Sequence, residues 1–69
     1  MNTTEVELLV RGVIIERGLP FSVMSVIDSP AGWNIVVRAG TSGVVRFTVA
    51  GGRPIAMRAA IQASLEERL

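Results

Sequence analysis

The chain has 69 residues, enough for a single domain with one small hydrophobic core. It contains no Cys and no His, so neither a disulfide nor a zinc site can supplement that core. The seven basic residues are all Arg and nearly balance six acidic residues, giving a formal net charge of +1. Dedicated nucleic-acid-binding domains usually carry a clear basic excess, so this charge balance does not favour that class.

The side chains that most enzymes use for catalysis are missing. General acid–base catalysis near neutral pH is done most often by His, and covalent catalysis by Cys, Lys or an activated Ser. The chain has no His, Cys, Lys or Tyr, and its acidic residues form no pair with the spacing of a carboxylate site. Asp28 stands alone near a turn, which does not favour a cation loop. We therefore expect a protein that is not an enzyme and that holds no metal and no cofactor.

The first element is a predicted amphipathic helix over about residues 4–18. Thr4 and Glu7 have the spacing of a capping box, in which each side chain bonds the backbone amide of the other residue. Gly18 followed by Pro20 ends the helix. Apolar residues at spacings of three and four predict its buried stripe, which contains Val6, Leu9, Val10 and Val13.

Three strands are predicted over about residues 21–28, 33–39 and 44–50, because apolar and polar residues alternate there. Turn-forming residues at 28–32 and 40–43 predict two hairpins and therefore an antiparallel meander. Residues directly opposite each other on neighbouring antiparallel strands have their side chains on the same side of the sheet. The alternation therefore divides the sheet into a core face and an open face.

The alternation assigns each strand residue to one face. The predicted core face contains Phe21, Val23, Ile27, Trp33, Ile35, Val37, Val45, Phe47 and Val49. The predicted open face contains Met24, Val26, Asn34, Val36, Arg38, Val44, Arg46 and Thr48. We expect Val37 to lie with Val45, and Arg38 to lie beside Arg46.

A second helix is predicted over about residues 54–68, where Pro54 suits the first helical position and several Ala residues follow. The fold class is therefore α+β, in the order α-β-β-β-α. We expect one domain over residues 1–69, with a three-stranded antiparallel meander packed against two helices.

Residues Gly51, Gly52 and Arg53 are a candidate anion site, because flexible glycines and an Arg precede the free amides of a helix N-terminus. A strand-to-helix turn that needs glycine geometry explains the same residues, and we favour that interpretation.

Arg38 and Arg46, with Arg58 as a third member, form a candidate phosphate-binding patch. Arginines on an open sheet face also keep it solvated and protect its edges, which is again the interpretation we favour.

The open face also carries a predicted apolar cluster. No remaining segment of the chain is available to cover it, and several such side chains approach the few hundred Å² typical of an interaction site. We therefore expect a homodimer or a protein partner at this surface. The residues of the cluster are Met24, Val26, Val36 and Val44.

The order and length of the elements, with an Ala-rich last helix, resemble the double-stranded RNA-binding domain. In that family basic residues open the second helix. These basic residues surround a small residue. Arg53 fits a basic position and Ala56 fits the small one, whereas Pro54 and Met57 stand where basic residues belong. The family's first β-turn carries a Gly-Pro-x-His element, and residues 28–32 lack the His. The resemblance implies weak phosphate binding through Arg53, Arg58, Arg38 and Arg46.

Two functions remain open from the sequence. The leading one is a small non-catalytic interaction module that self-associates or binds a protein, and the alternative is a weak nucleic-acid-binding domain. The first charged residues are acidic, and the longest apolar stretch, residues 8–15, is too short to span a bilayer. We therefore expect a cytoplasmic protein that does not insert into a membrane.

Overall fold

The computed structural model describes residues 1–40 and 43–68. Along the chain, one helix precedes the three strands and one helix follows them. The elements are α1 (Thr3–Arg17), β1 (Phe21–Ser29), β2 (Gly32–Ala39), β3 (Val44–Val49) and α2 (Pro54–Glu66). The strands form one antiparallel sheet in the order β1-β2-β3, which confirms the predicted α+β meander. Residues 41 and 42 of the predicted second turn, and residue 69 of the predicted domain, lie outside the described residues.

Both helices pack on the same face of the sheet. Ile35, Val37 and Val49 are buried on that face, whereas the residues that alternate with them along β2 and β3 are exposed or half-buried. The helices add six residues to the same core, namely Val6, Val10, Val13, Met57, Ile61 and Leu65. The other face, here called the open sheet face, consists of Ser22, Met24, Ser25, Ile27, Asn34, Val36, Arg38, Val44, Arg46 and Thr48.

Helix α1 begins earlier than predicted because a different residue caps it. The Glu5 amide donates to Asn2 Oδ1 at 2.9 Å, and the Asn2 amide donates to Glu5 Oε1 at 2.9 Å. The predicted capping box of Thr4 and Glu7 was therefore wrong, although both pairs match the motif. Asn ranks above Thr as a cap, and Glu7 instead pairs with Arg11 one turn later, at 3.5 Å.

Strand β1 contains a β-bulge that the alternation did not predict. Val23 pairs with Val37 and Ser25 pairs with Val36, so Met24 is an extra residue with no partner in the register. One inserted residue moves every later side chain of the strand to the opposite face. The bulge therefore inverts the predicted faces for the second half of β1.

The inversion corrects two predictions. Val26 was predicted on the open face, but it is 7% exposed and lies opposite Ile35 in the core. Ile27 was predicted in the core, but it is 57% exposed and lies on the open sheet face opposite Asn34. The core therefore gains a smaller aliphatic residue, and the open sheet face gains a larger one.

The pairing of β2 with β3 agrees with the predicted faces. Val37 lies directly opposite Val45, as expected. Arg38 lies opposite Val44, and Arg46 lies opposite Val36. The two arginines thus share a face on a diagonal, and neither directly opposes the other, which reduces their repulsion.

Candidate interaction surface

The open sheet face exposes a group of aliphatic side chains. Met24 is 49% exposed, Ile27 57% and Val44 50%, while Val36 is half-buried between them. Three of the four residues predicted for this cluster are therefore present, and Ile27 takes the place of Val26. The sequence pattern missed Ile27 because nothing in the alternation around it marks the bulge at Met24.

Arg38 and Arg46 give this aliphatic surface a positive charge. Both are exposed, and neither forms an ion pair with any of the described residues. The acidic side chains lie elsewhere: five belong to the helices or the turn after α2, and Asp28 is opposite Trp33, on the other side of the sheet. An unbalanced charge of this kind attracts anionic groups over a distance of about 8–10 Å at moderate ionic strength.

The centre of the open sheet face is a shallow depression of about 640 Å³. Met24, Ile27 and Val36 are part of its apolar lining, and Arg46 also lines it. The Thr48 hydroxyl donates to Asn34 Oδ1 at 2.9 Å across the two strands, which holds both polar side chains in place. A depression this shallow accommodates side chains of another protein better than it encloses a small molecule.

Residues 51–53, the predicted anion site, lie in the connection between β3 and α2. Gly51 and Gly52 are exposed, and Arg53 caps α2 with an extended backbone and without a side-chain hydrogen bond. Gly51 lies against the Trp33 indole, where an added Cβ would be 3.9 Å from Nε1. The described residues include no buried polar or charged residue that could converge on this loop. The arrangement agrees with the strand-to-helix turn.

The structure separates the four arginines that the sequence grouped together. Arg38 and Arg46 lie on the open sheet face, whereas Arg53 and Arg58 belong to the helical side. The Arg58 guanidinium donates to the Glu16 carboxylate of α1, so its charge is already neutralised. The four residues therefore do not form one continuous phosphate-binding surface.

Two further features restrict the chemistry of this surface. All three aromatic residues, Phe21, Trp33 and Phe47, are buried in the core and leave no ring on the open sheet face. Within residues 1–40 and 43–68, no group of three or more acidic side chains is placed to hold a metal ion. The open sheet face thus combines aliphatic and guanidinium groups without an aromatic platform.

Comparison with known proteins finds no matching family model, no matching curated protein and no matching solved structure. The likeness to the double-stranded RNA-binding domain is therefore one of element order, α-β-β-β-α with a three-stranded antiparallel sheet. Among the described helices, none has the length and apolar character needed to cross a bilayer.

Proposed function

We propose that this chain is a non-catalytic interaction module that binds a partner protein through the open sheet face. The observation that supports this function is the coincidence of exposed aliphatic side chains with two arginines that lack acidic partners among the described residues. Apolar contact provides affinity, and charge complementarity selects the partner. The complementary partner is a protein segment that carries both acidic and aliphatic side chains.

A second copy of the chain is a less suitable occupant of this face. Face-to-face contact between two copies would bring Arg38 and Arg46 of each copy together, and the face carries no acid to balance them. Opposing like charges across an interface disfavours association. We therefore place an acidic protein partner ahead of the homodimer.

Nucleic-acid binding is the second candidate function. It is supported by Arg38, Arg46 and Arg53, which have no ion pair among the described residues. Single strands are bound largely by stacking on aromatic rings, which the open sheet face lacks. Double-stranded RNA would make only two or three phosphate contacts, divided between two sides of the domain, and so few contacts give weak binding.

The proposal is tested by fluorescence anisotropy with two synthetic peptides matched in length to β3, one of alternating Glu and Val and one of alternating Lys and Val. We expect the Glu peptide to bind and the Lys peptide not to bind. Val44→Glu places an acid beside Arg38 and should weaken binding at least about tenfold, a loss of about 1.4 kcal/mol. The matched control is Ile15→Glu, since Ile15 is 80% exposed on α1.

Two outcomes would overturn the assignment. Equal loss of binding in Val44→Glu and Ile15→Glu would show that the open sheet face is not the docking surface. Tighter binding of an RNA duplex of about 16 base pairs than of the Glu peptide, at physiological salt and with loss in Arg53→Gln, would move the function to the second candidate.

A further inference from the structure

We propose that the partner segment binds as an extended strand that pairs antiparallel with β3 and becomes the fourth strand of the sheet. This inference rests on the proposed function and specifies the partner: a segment in which acidic and aliphatic residues alternate. Three observations carry it, namely the regularity of the β3 edge, the direction of its backbone groups and the position of Arg46.

The sheet has two edge strands, β1 and β3, and they differ in how well their geometry allows another strand to pair with them. Edge strand β1 contains the bulge at Met24, and a bulge distorts an edge and disfavours pairing. Edge strand β3 keeps an uninterrupted register over Val44–Val49 and contains no Pro. Within the described part of the chain, no strand pairs with its outer side. The β3 edge is therefore the better acceptor.

The hydrogen-bond pattern shows which groups β3 directs outward. The Ala39 amide donates to the Gly43 carbonyl at 2.9 Å, which makes these two residues a bonded pair of the β2–β3 ladder. Bonded and non-bonded pairs alternate in an antiparallel ladder. Residues 45, 47 and 49 are consequently bonded to β2, while Val44, Arg46 and Thr48 direct their N–H and C=O groups away from it.

The same three residues place their side chains on the open sheet face. The partner segment is here called the guest strand. A guest residue directly opposite Arg46 would form backbone hydrogen bonds with it and place its own side chain beside the guanidinium, with Cβ atoms about 5 Å apart. An acidic side chain fits that position. The guest residues on either side would point toward the helices, next to half-buried Val45, where an aliphatic side chain fits. Charge and burial thus predict the same alternating pattern.

A second acid two residues along the guest strand would lie opposite Val44. Arg38 lies immediately beyond Val44 in β2, within the span of two long side chains. The acidic side chains of one guest strand can therefore pair with both arginines. An antiparallel guest is preferred because parallel pairing is slightly less stable per residue.

The test uses N-methylated versions of the alternating Glu and Val peptide. In the antiparallel arrangement the Glu amides donate to β3 and the Val amides point away. Methylation of two Glu amides should weaken binding about tenfold or more, and methylation of two Val amides should change it less than about threefold. A peptide of the same composition with all Glu before all Val should bind at least about tenfold more weakly.

Variants of the protein provide the second measurement. Arg46→Gln should weaken binding of the unmodified peptide, and Arg53→Gln, an exposed arginine of the helical side, should not. Hydrogen exchange should slow at the amides of residues 44, 46 and 48 when the peptide is bound, since these amides become bonded.

The outcomes separate this inference from the proposed function. If Val44→Glu reduces binding while both methylated peptides bind equally, the open sheet face is the docking surface but strand addition is wrong. A preference for the Glu-methylated peptide would overturn the antiparallel arrangement. Sedimentation equilibrium that shows a dimer dissociated by the peptide would overturn the assigned occupant, because a second copy would then occupy the β3 edge.

Discussion

The substitution Gly32→Ala should destabilise the fold more than its size suggests. Gly32 starts β2 with φ +132°, a conformation that side-chain-bearing residues rarely adopt, and the Ser29 hydroxyl donates to its carbonyl at 2.9 Å. A Cβ at this position would lie 2.3 Å from the Val49 carbonyl oxygen and 2.9 Å from the Ala50 Cα. Both are backbone atoms, so the ends of β2 and β3 must separate to admit a methyl group.

Two costs add at this site. The strained backbone costs roughly 1–3 kcal/mol, and forcing a group into a filled space costs roughly another 1–3 kcal/mol. A domain of this length has a free energy of unfolding of roughly 3–10 kcal/mol. The variant should therefore lose roughly 2–6 kcal/mol, a large part of its stability, which urea denaturation monitored by the Trp33 fluorescence will measure as a lower midpoint with an unchanged slope.

Two glycines serve as controls that separate the costs. Gly18 ends α1 with φ +61° and has open space around an added Cβ, so Gly18→Ala should cost about 1–2 kcal/mol for the backbone alone. Gly52 has open space and no positive φ, so Gly52→Ala should change stability by less than about 1 kcal/mol. If Gly32→Ala were as stable as Gly18→Ala, the close approach of β2 and β3 at this point would be refuted.

Two further pairs of variants test the local structure by the same measurement. Val26→Ala should lower the free energy of unfolding by about 2 kcal/mol because it removes buried methyl groups, whereas Ile27→Ala should change it by about 0.5 kcal/mol or less; the reverse order would refute the bulge in β1. Asn2→Ala should cost about 1 kcal/mol because it removes the α1 cap, and Thr4→Ala should cost less; equal losses would place the cap elsewhere.

The element order and the two faces of β2 and β3 followed from the sequence. Trp33, Ile35 and Val37 recur at every second position of β2, and turn residues bound the strand, so local conformational preference and burial agree there. The cap of α1 was predicted at the wrong residue, because two overlapping segments match the same capping motif. The difference between the two caps is about 1 kcal/mol or less, so the motif alone did not select one.

The candidate surface depended on the tertiary structure in two ways. The bulge at Met24 moves Ile27 onto the open sheet face and Val26 into the core, and the ion pair of Arg58 with Glu16 removes one arginine from the predicted patch. Neither feature has a local signal. A bulge is a feature of how two strands pair, with an extra residue in one of them, and the ion pair joins residues 42 positions apart.

The sequence by itself determined the strand and helix order, the hairpin turn at residues 28–32 and the absence of His, Cys and Lys, because these depend on residue type and short-range periodicity. The tertiary structure decided which aliphatic side chains remain exposed, which arginines remain without an ion pair among the described residues, and which strand edge is regular. Those properties depend on register and on contacts between distant segments, and a one-residue shift in register reverses every face that follows it.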